Sequence, residues 1–369
     1  MLVIIFVAHV PNNLWADYIP ARFGFSSGAE IFVFVSGIAS GFAFGGTFLR
    51  KGFIEGARRV FRRILQLYGA HLGSLAALGG FALLLDAWTG SDVMAVRYGL
   101  EWLRDNPVHG AIDYASLRYV PAFFDILPMY VVMLALIAPA MLLARRSSTA
   151  VLAVSALAWL TMQLAPIHFP GNPVTGAEWY FNPFAWQFLF FIGFGLGLGW
   201  LKAPPRGDRP LFWLCAAGLA ASVPLTFWGA AGIAPWQDAV HAVIYPANAI
   251  TILAPARLLH FLALAYVCYS LVDPTASWLQ SPRLNPLYRV GRNSFGCFLA
   301  GLGLSMFGGV AIDRLGMTWA VAHAVNIAGI LLLLAAAATI DRFKRRPVGA
   351  TPTSPLPVAD HRREPAAVV

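Results

Sequence analysis

The sequence predicts an all-α, polytopic membrane protein of about ten transmembrane helices, and three observations carry that prediction. Of the 369 residues, 59% are hydrophobic and only 12% charged, and the mean hydropathy is +0.67. Soluble domains carry about 25% charged residues, so this chain is not built around one water-exposed core. Apolar runs close to the ~20 residues that a membrane helix needs recur along its length. Basic residues, finally, gather on alternate connections between those runs.

The first run, residues 1–9, stops at Pro11 and is too short to cross alone. It has no basic n-region and no small-residue cleavage site, so a signal peptide is not indicated. The chain is therefore expected to begin partway into its first helix. Further runs lie near 28–49, 64–86, 124–143, 149–166, 184–201, 210–232, 257–273, 293–312 and 317–340. Placing 50–63 in the cytoplasm also places there 144–148, 202–209, 274–292 and everything after 341. Those segments hold 20 of the 26 Lys and Arg residues. Such loop bias sets orientation, so both termini are expected to be cytoplasmic. Orientation accounts for most of the +9 net charge, and nucleic-acid binding loses its support.

The outer connections differ in kind. Residues 87–123 include VMAVRYGLEWLRD, which reads as a short interfacial helix. Residues 167–183 are rich in Pro, Gly and aromatics, as in a structured loop. Residues 241–256 are apolar but broken by Pro246 and Pro255, a pattern that fits a re-entrant element lining a cavity. No internal repeat is evident. Residues 1–340 read as one integral-membrane domain, and 341–369 as a basic, disordered cytoplasmic tail.

Cys215, Cys268 and Cys297 sit in apolar runs without a CxxC or Cys/His neighbour, so no disulfide framework or zinc site is indicated. The chain has no Gly-rich phosphate loop, HExxH or GxSxG, and no bound cofactor is expected. What stands out is a set of polar residues at two levels. An ionisable group at the centre of a membrane helix costs about 3 kcal/mol or more, so it marks a cavity or a partner. At the outer level lie His9, Asn12, Asn13, Glu30, Asp125, Trp179, Asn182, Gln187, Arg257, His260, His323 and Asn326. A histidine oriented by a carboxylate is suited to deprotonating a hydroxyl. His9 is the candidate base, Glu30 its candidate partner and Asp125 the rival. Asn13, Trp179, Asn182, Gln187, His260 and His323 are candidates for holding the acceptor. At the inner level, Arg59, Arg63, Arg289 and Arg292 guard helix entrances, with His71 deeper along the axis. The guanidinium fork suits phosphate, so these residues are candidates for a phosphorylated donor, while topological anchoring is the first explanation for Arg59 and Arg63 and an equal one for Arg289 and Arg292.

The runs HVPNN (9–13), FGFSSGAEIFVFVSG (23–37), RRILQLYGAHL (62–72), FDILPMYVVML (124–134), WYFNPFAWQFLF (179–190), RLLHFLALAY (257–266) and VGRNSFGCF (290–298) occur in that order. Together they resemble the OpgC-type membrane succinyltransferases of the acyltransferase-3 superfamily. The resemblance implies transfer of a succinyl group from cytosolic succinyl-CoA to osmoregulated periplasmic glucans at a bacterial inner membrane. It implies His9 as catalytic base and matches Glu30, Arg63, His71, Asp125, Asn182, His260 and Arg292 to the family's recurring polar positions. Two departures stand out: the family's DHxPGN reads here with Ala8 before His9 and Asn12 in place of Gly, and its N-terminal RxDxxRG is absent. A secondary transporter or flippase for an anionic substrate is the alternative reading. Transporters place one midplane site between repeated halves, whereas here the polar groups fall at two separate levels.

Overall fold

A computed structural model describes residues 1–226 and 248–344. The described residues are mostly helical and form no strand, only a single bridge between Pro170 and Glu178. In chain order, the main helices begin with α1 (Leu2–His9), α2 (Gly28–Lys51) and α3 (Phe53–Thr89). Three short ones follow: α4 (Val93–Tyr98), α5 (Glu101–Asp105) and α6 (Pro107–Ala115). Then come α7 (Ile126–Ala144), α8 (Ser148–Leu164), α9 (Pro183–Leu198), α10 (Arg209–Thr226) and α11 (Pro255–Leu271). The last are α12 (Asn285–Arg292), α13 (Ser294–Leu315) and α14 (Trp319–Lys344).

The expected membrane helices are thus present. Among the described residues, α2, α3, α7, α13 and α14 are long and apolar enough to cross a membrane, and α8, α9 and α11 are shorter apolar helices. The run expected at 210–232 is helical to Thr226, and the rest of it lies outside the described residues. So do residues 241–247 of the expected re-entrant segment and 345–369 of the expected tail. Large apolar side chains such as Leu49, Trp88, Leu164 and Trp213 face outward, as lipid contact requires.

α2 and α9 form the tightest pair in the core, and glycines permit their approach. A Cβ on Gly37 or Gly41 would sit 2.2 and 2.7 Å from the carbonyls of Phe190 and Phe194. On the other helix, a Cβ on Gly193 or Gly197 would meet the carbonyls of Phe34 and Ile38 at 2.3 and 2.6 Å. Both pairs are spaced i,i+4, the small-xxx-small pattern that brings membrane helices into backbone contact. α1 is buried in the same way: Gly329 of α14 lies under the Phe6 ring, and Gly308 and Gly309 of α13 lie against Val10 and Pro11.

The segment after α3 resolves into three short helices rather than one interfacial helix. Asp86 near the end of α3 accepts from the amides of Met94 and Ala95 at 3.1 and 2.7 Å and starts α4. Met94, Tyr98, Leu100, Tyr114, Tyr119 and Phe124 then form an apolar cluster on α3 and α13. Residues 248–254 are irregular, with Leu253 at φ 47°. Non-helical backbone at membrane depth needs internal partners. Trp159, Gln163 and Trp186 donate to the carbonyls of Leu253, Ile252 and Ile250 at 2.8–2.9 Å.

Candidate active site

α1 ends at His9, whose Nδ1 lies 2.7 Å from the Ile5 carbonyl. A carbonyl only accepts, so Nδ1 carries the proton and Nε2 keeps its lone pair. The backbone of its own helix therefore sets the tautomer of His9. The Phe123 ring meets the imidazole edge-on at 5.4 Å. The turn that follows is clamped on both sides. Asn12 sits at φ 54°, the left-handed region where Gly is at ease and Asn is the best-tolerated substitute. That explains how Asn stands where the resembling sequences carry Gly. Its amide donates to Asp313 at 2.9 Å, and Arg97 pairs with the same carboxylate.

His9 lines a cavity of about 350 Å³ together with Arg22, Ser26, Asp125, Tyr180 and Arg257. Arg22 donates its Nε–H to the Ala16 carbonyl at 3.2 Å. Asp125 immediately precedes α7, outside the helix, and burial pushes its carboxyl up to about 6. The Ile250 backbone segment closes one side.

Glu30 does not take the expected place. It is fully buried and forms an ion pair with Arg257, whose Nε donates to Glu30 Oε1 at 2.7 Å. Its other oxygen accepts from the Ser27 amide at 2.7 Å and the Ser27 hydroxyl at 2.9 Å, closing a capping box at the start of α2. Among the described residues no hydrogen bond joins Glu30 to His9. The reason is chemical: a buried arginine and the helix-start donors compete better for a carboxylate than a neutral imidazole does. Glu30 instead holds Arg257 at the cavity wall.

The candidate acceptor residues divide. Asn13 exchanges amide hydrogen bonds with Asn326 at 2.7 and 2.9 Å and is buried. Trp179 donates to the Leu117 carbonyl at 3.1 Å and ties two outer connections together. Asn182 caps α9 and donates to the Ile167 carbonyl at 2.7 Å. Gln187 bonds both the hydroxyl and the carbonyl of Ser155, at 2.5 and 2.7 Å, joining α8 to α9. Structural contacts thus occupy all four. His323 is exposed, with its ring against Trp15 and Trp319 and outside the His9 cavity. His260 alone stays close, hydrogen-bonded through Nδ1 to Ser26 at 2.7 Å.

At the opposite end of the bundle, Arg289 and Arg292 share one carboxylate, while Arg59 and Arg63 have partners of their own. The Arg63 guanidinium lies 4.6 Å from the centre of the Phe295 ring, just past Arg292 in the chain. Arg59 donates to Thr47 at 2.7 Å. Arg289 and Arg292 approach Asp341 of α14 at 3.9 and 3.7 Å, while Lys344 donates to Asn293 at 2.9 Å. His71 is buried with its ring stacked on Tyr114, 4.0 Å between centres, and its Nδ1 lies 2.9 Å from the Tyr114 hydroxyl. Among the described residues its buried Nε2 has no hydrogen-bond partner.

Arg22, Ser26 and Asp341 are not among the sequence-predicted site residues, and Arg257 has no role assigned there. A signal exists for the last of these through its partner. Ser27 and Glu30 spell the S-x-x-E capping box, which identifies Glu30 as a helix-start carboxylate. For Arg22, Ser26 and Asp341 no local pattern marks the position.

No curated protein and no solved structure matches the chain. The family model described as OpgC protein matches residues 1–345. That match spans every helix described above, so the chain belongs to the OpgC family of membrane proteins.

Proposed function

We propose that the protein is a membrane O-acyltransferase that moves a succinyl group from a cytosolic acyl-coenzyme A to hydroxyls of a periplasmic glucan. Family membership supports a transferase role in osmoregulated periplasmic glucan modification. The observation that carries the reading is His9: its Nδ1–H is fixed on the Ile5 carbonyl, and the ring faces a cavity shared with Asp125 and Arg257. In this reading Nε2 removes the proton from the acceptor hydroxyl as the oxygen attacks the acyl carbonyl. Asp125, ionised above about pH 6, stabilises the imidazolium that forms. Arg22 supplies a guanidinium at the cavity wall that can pair with the carboxylate of the acyl group.

The donor phosphates belong, in the same reading, to Arg59, Arg63, Arg289 and Arg292. These side chains sit at the other end of the bundle, where Arg289 and Arg292 stand far enough from Asp341 to re-pair. That arrangement gives an inner-membrane enzyme with both termini in the cytoplasm, acceptor chemistry at the outer level and lipid around the helices. The test is acyl transfer in proteoliposomes. Purified protein with succinyl-coenzyme A on the arginine side should succinylate glucan on the His9 side. Transport of intact donor or glucan without acylation would favour a transporter instead.

A further inference from the structure

The His9 cavity is small for two substrates. Its roughly 350 Å³ falls near the bottom of the range of about 300–1,000 Å³ typical of pockets that take a single ligand. A neighbouring cavity of about 470 Å³ shares Ser26, Ser27 and Gly28 with it, so substrates entering from the two cavities would meet at this wall. A covalent relay suits such a layout, provided the shared wall carries a nucleophile beside a base.

Ser26 meets that condition. It lines the first cavity with His9 and the neighbouring one with His260. Its hydroxyl lies 2.7 Å from His260 Nδ1, within the reach that marks a nucleophile and its base. The imidazole is seated by its surroundings. Gly24, at φ 147°, leaves room that a Cβ would fill at 2.1 Å from His260 Nε2, and the Phe25 ring packs edge-on at 6.0 Å. Among the described residues its buried Nε2 has no hydrogen-bond partner, a cost that a structural histidine avoids and a reacting one tolerates. Arg257, one helical turn from His260, lines the His9 cavity too, with its charge paired to Glu30.

We propose that Ser26 is an acyl relay, with His260 as its base, and that transfer proceeds in two half-reactions. This rests on the acyltransferase reading above. In the first, Ser26 Oγ bonds to the donor carbonyl carbon, its proton passes to His260 Nδ1, and the carbon–sulfur bond breaks. The leaving thiolate takes that proton and departs as free coenzyme A. In the second, His9 Nε2 takes the proton of the acceptor hydroxyl, whose oxygen attacks the Ser26 ester. The bond to Oγ breaks, the proton returns to Oγ, and the acceptor leaves as an ester.

The test uses the full-length protein in proteoliposomes with radiolabelled succinyl-coenzyme A and no acceptor. A label that survives denaturation, is released by hydroxylamine and maps to the Ser26 peptide supports the relay. Adding glucan should then move that label onto sugar. Ser26→Ala should abolish labelling, and His260→Gln should slow it by about 100-fold or more, the usual range for a general base. Labelling at another residue overturns the assignment. Glucan succinylated at the wild-type rate by Ser26→Ala, or transferred without any labelled protein, overturns the relay while leaving the acyltransferase reading intact. Absence of both label and transfer overturns both.

Discussion

The two ends of the bundle hold their charges in opposite ways. At the His9 end, Glu30 and Arg257 are both almost fully buried and interlocked through Ser27. At the Arg63 end the cations stay accessible. Side chains of Arg289 and Arg292 are 40% and 63% exposed and stand 3.9 and 3.7 Å from Asp341, too far for a direct hydrogen bond. Buried, fully bonded charges cannot move without a large penalty, whereas exposed pairs contribute little and exchange partners freely. Under the proposed function, the first end would keep reacting groups in place and the second would accept a mobile, multiply charged donor.

The strongest way to break that contrast is to remove one member of the buried pair. Glu30→Ala leaves Arg257 uncompensated and should destabilise the protein by about 3–5 kcal/mol. Thermal unfolding in detergent would show it. An unfolding temperature equal to that of the wild type would mean that the pair is not structurally important.

His9→Ala comes next. The protein should fold, since the residue ends α1 and makes a single hydrogen bond to its own helix. Transfer to glucan should fall by about 100-fold or more in kcat with little change in KM, because the lost interaction forms only in the transition state. A variant that keeps the wild-type kcat would remove His9 from the chemistry.

At the opposite end, Arg63→Ala and Arg292→Ala should each raise donor KM by about tenfold, near the lower limit for hydrogen bonds to charged groups. The value of kcat should change little. Unchanged donor KM in both variants would assign these arginines to orientation alone, a task that the other basic residues share.

The smallest effect sharpens the His9 end. With its carboxyl raised to about 6, Asp125 is ionised above that pH and loses its charge as pH falls through it. Transfer should therefore weaken on acidification through about pH 6. Asp125→Asn should lower the rate above that pH and flatten this part of the profile. A profile identical in the variant would assign the inflection to His9 alone.

Much of this contrast is legible in the order of the residues. Hydropathy is a local property, so the apolar runs mark the helices to within a few residues at most ends. Asn182 and Pro183 announce the start of α9, and Ser27 with Glu30 that of α2, because caps act within one turn. The two levels of polar residues are also visible there, since charge is rare enough in apolar helices to stand out.

Partner choice is not legible in this way. Glu30 and Arg257 are 227 residues apart, and nothing near either one names the other. Asp341 reads as part of a basic tail until α14 carries it to Arg289 and Arg292. Asn13, Asn182 and Gln187 look like substrate ligands in sequence, yet packing commits their amides to helix contacts. Where the helices run, and which residues bring polar chemistry to them, is thus written in the chain itself. Which of those residues satisfy one another, and which, like His9 and Ser26, are left facing a cavity, is settled by packing alone, because burial forces polar groups to find partners wherever the helices bring them together.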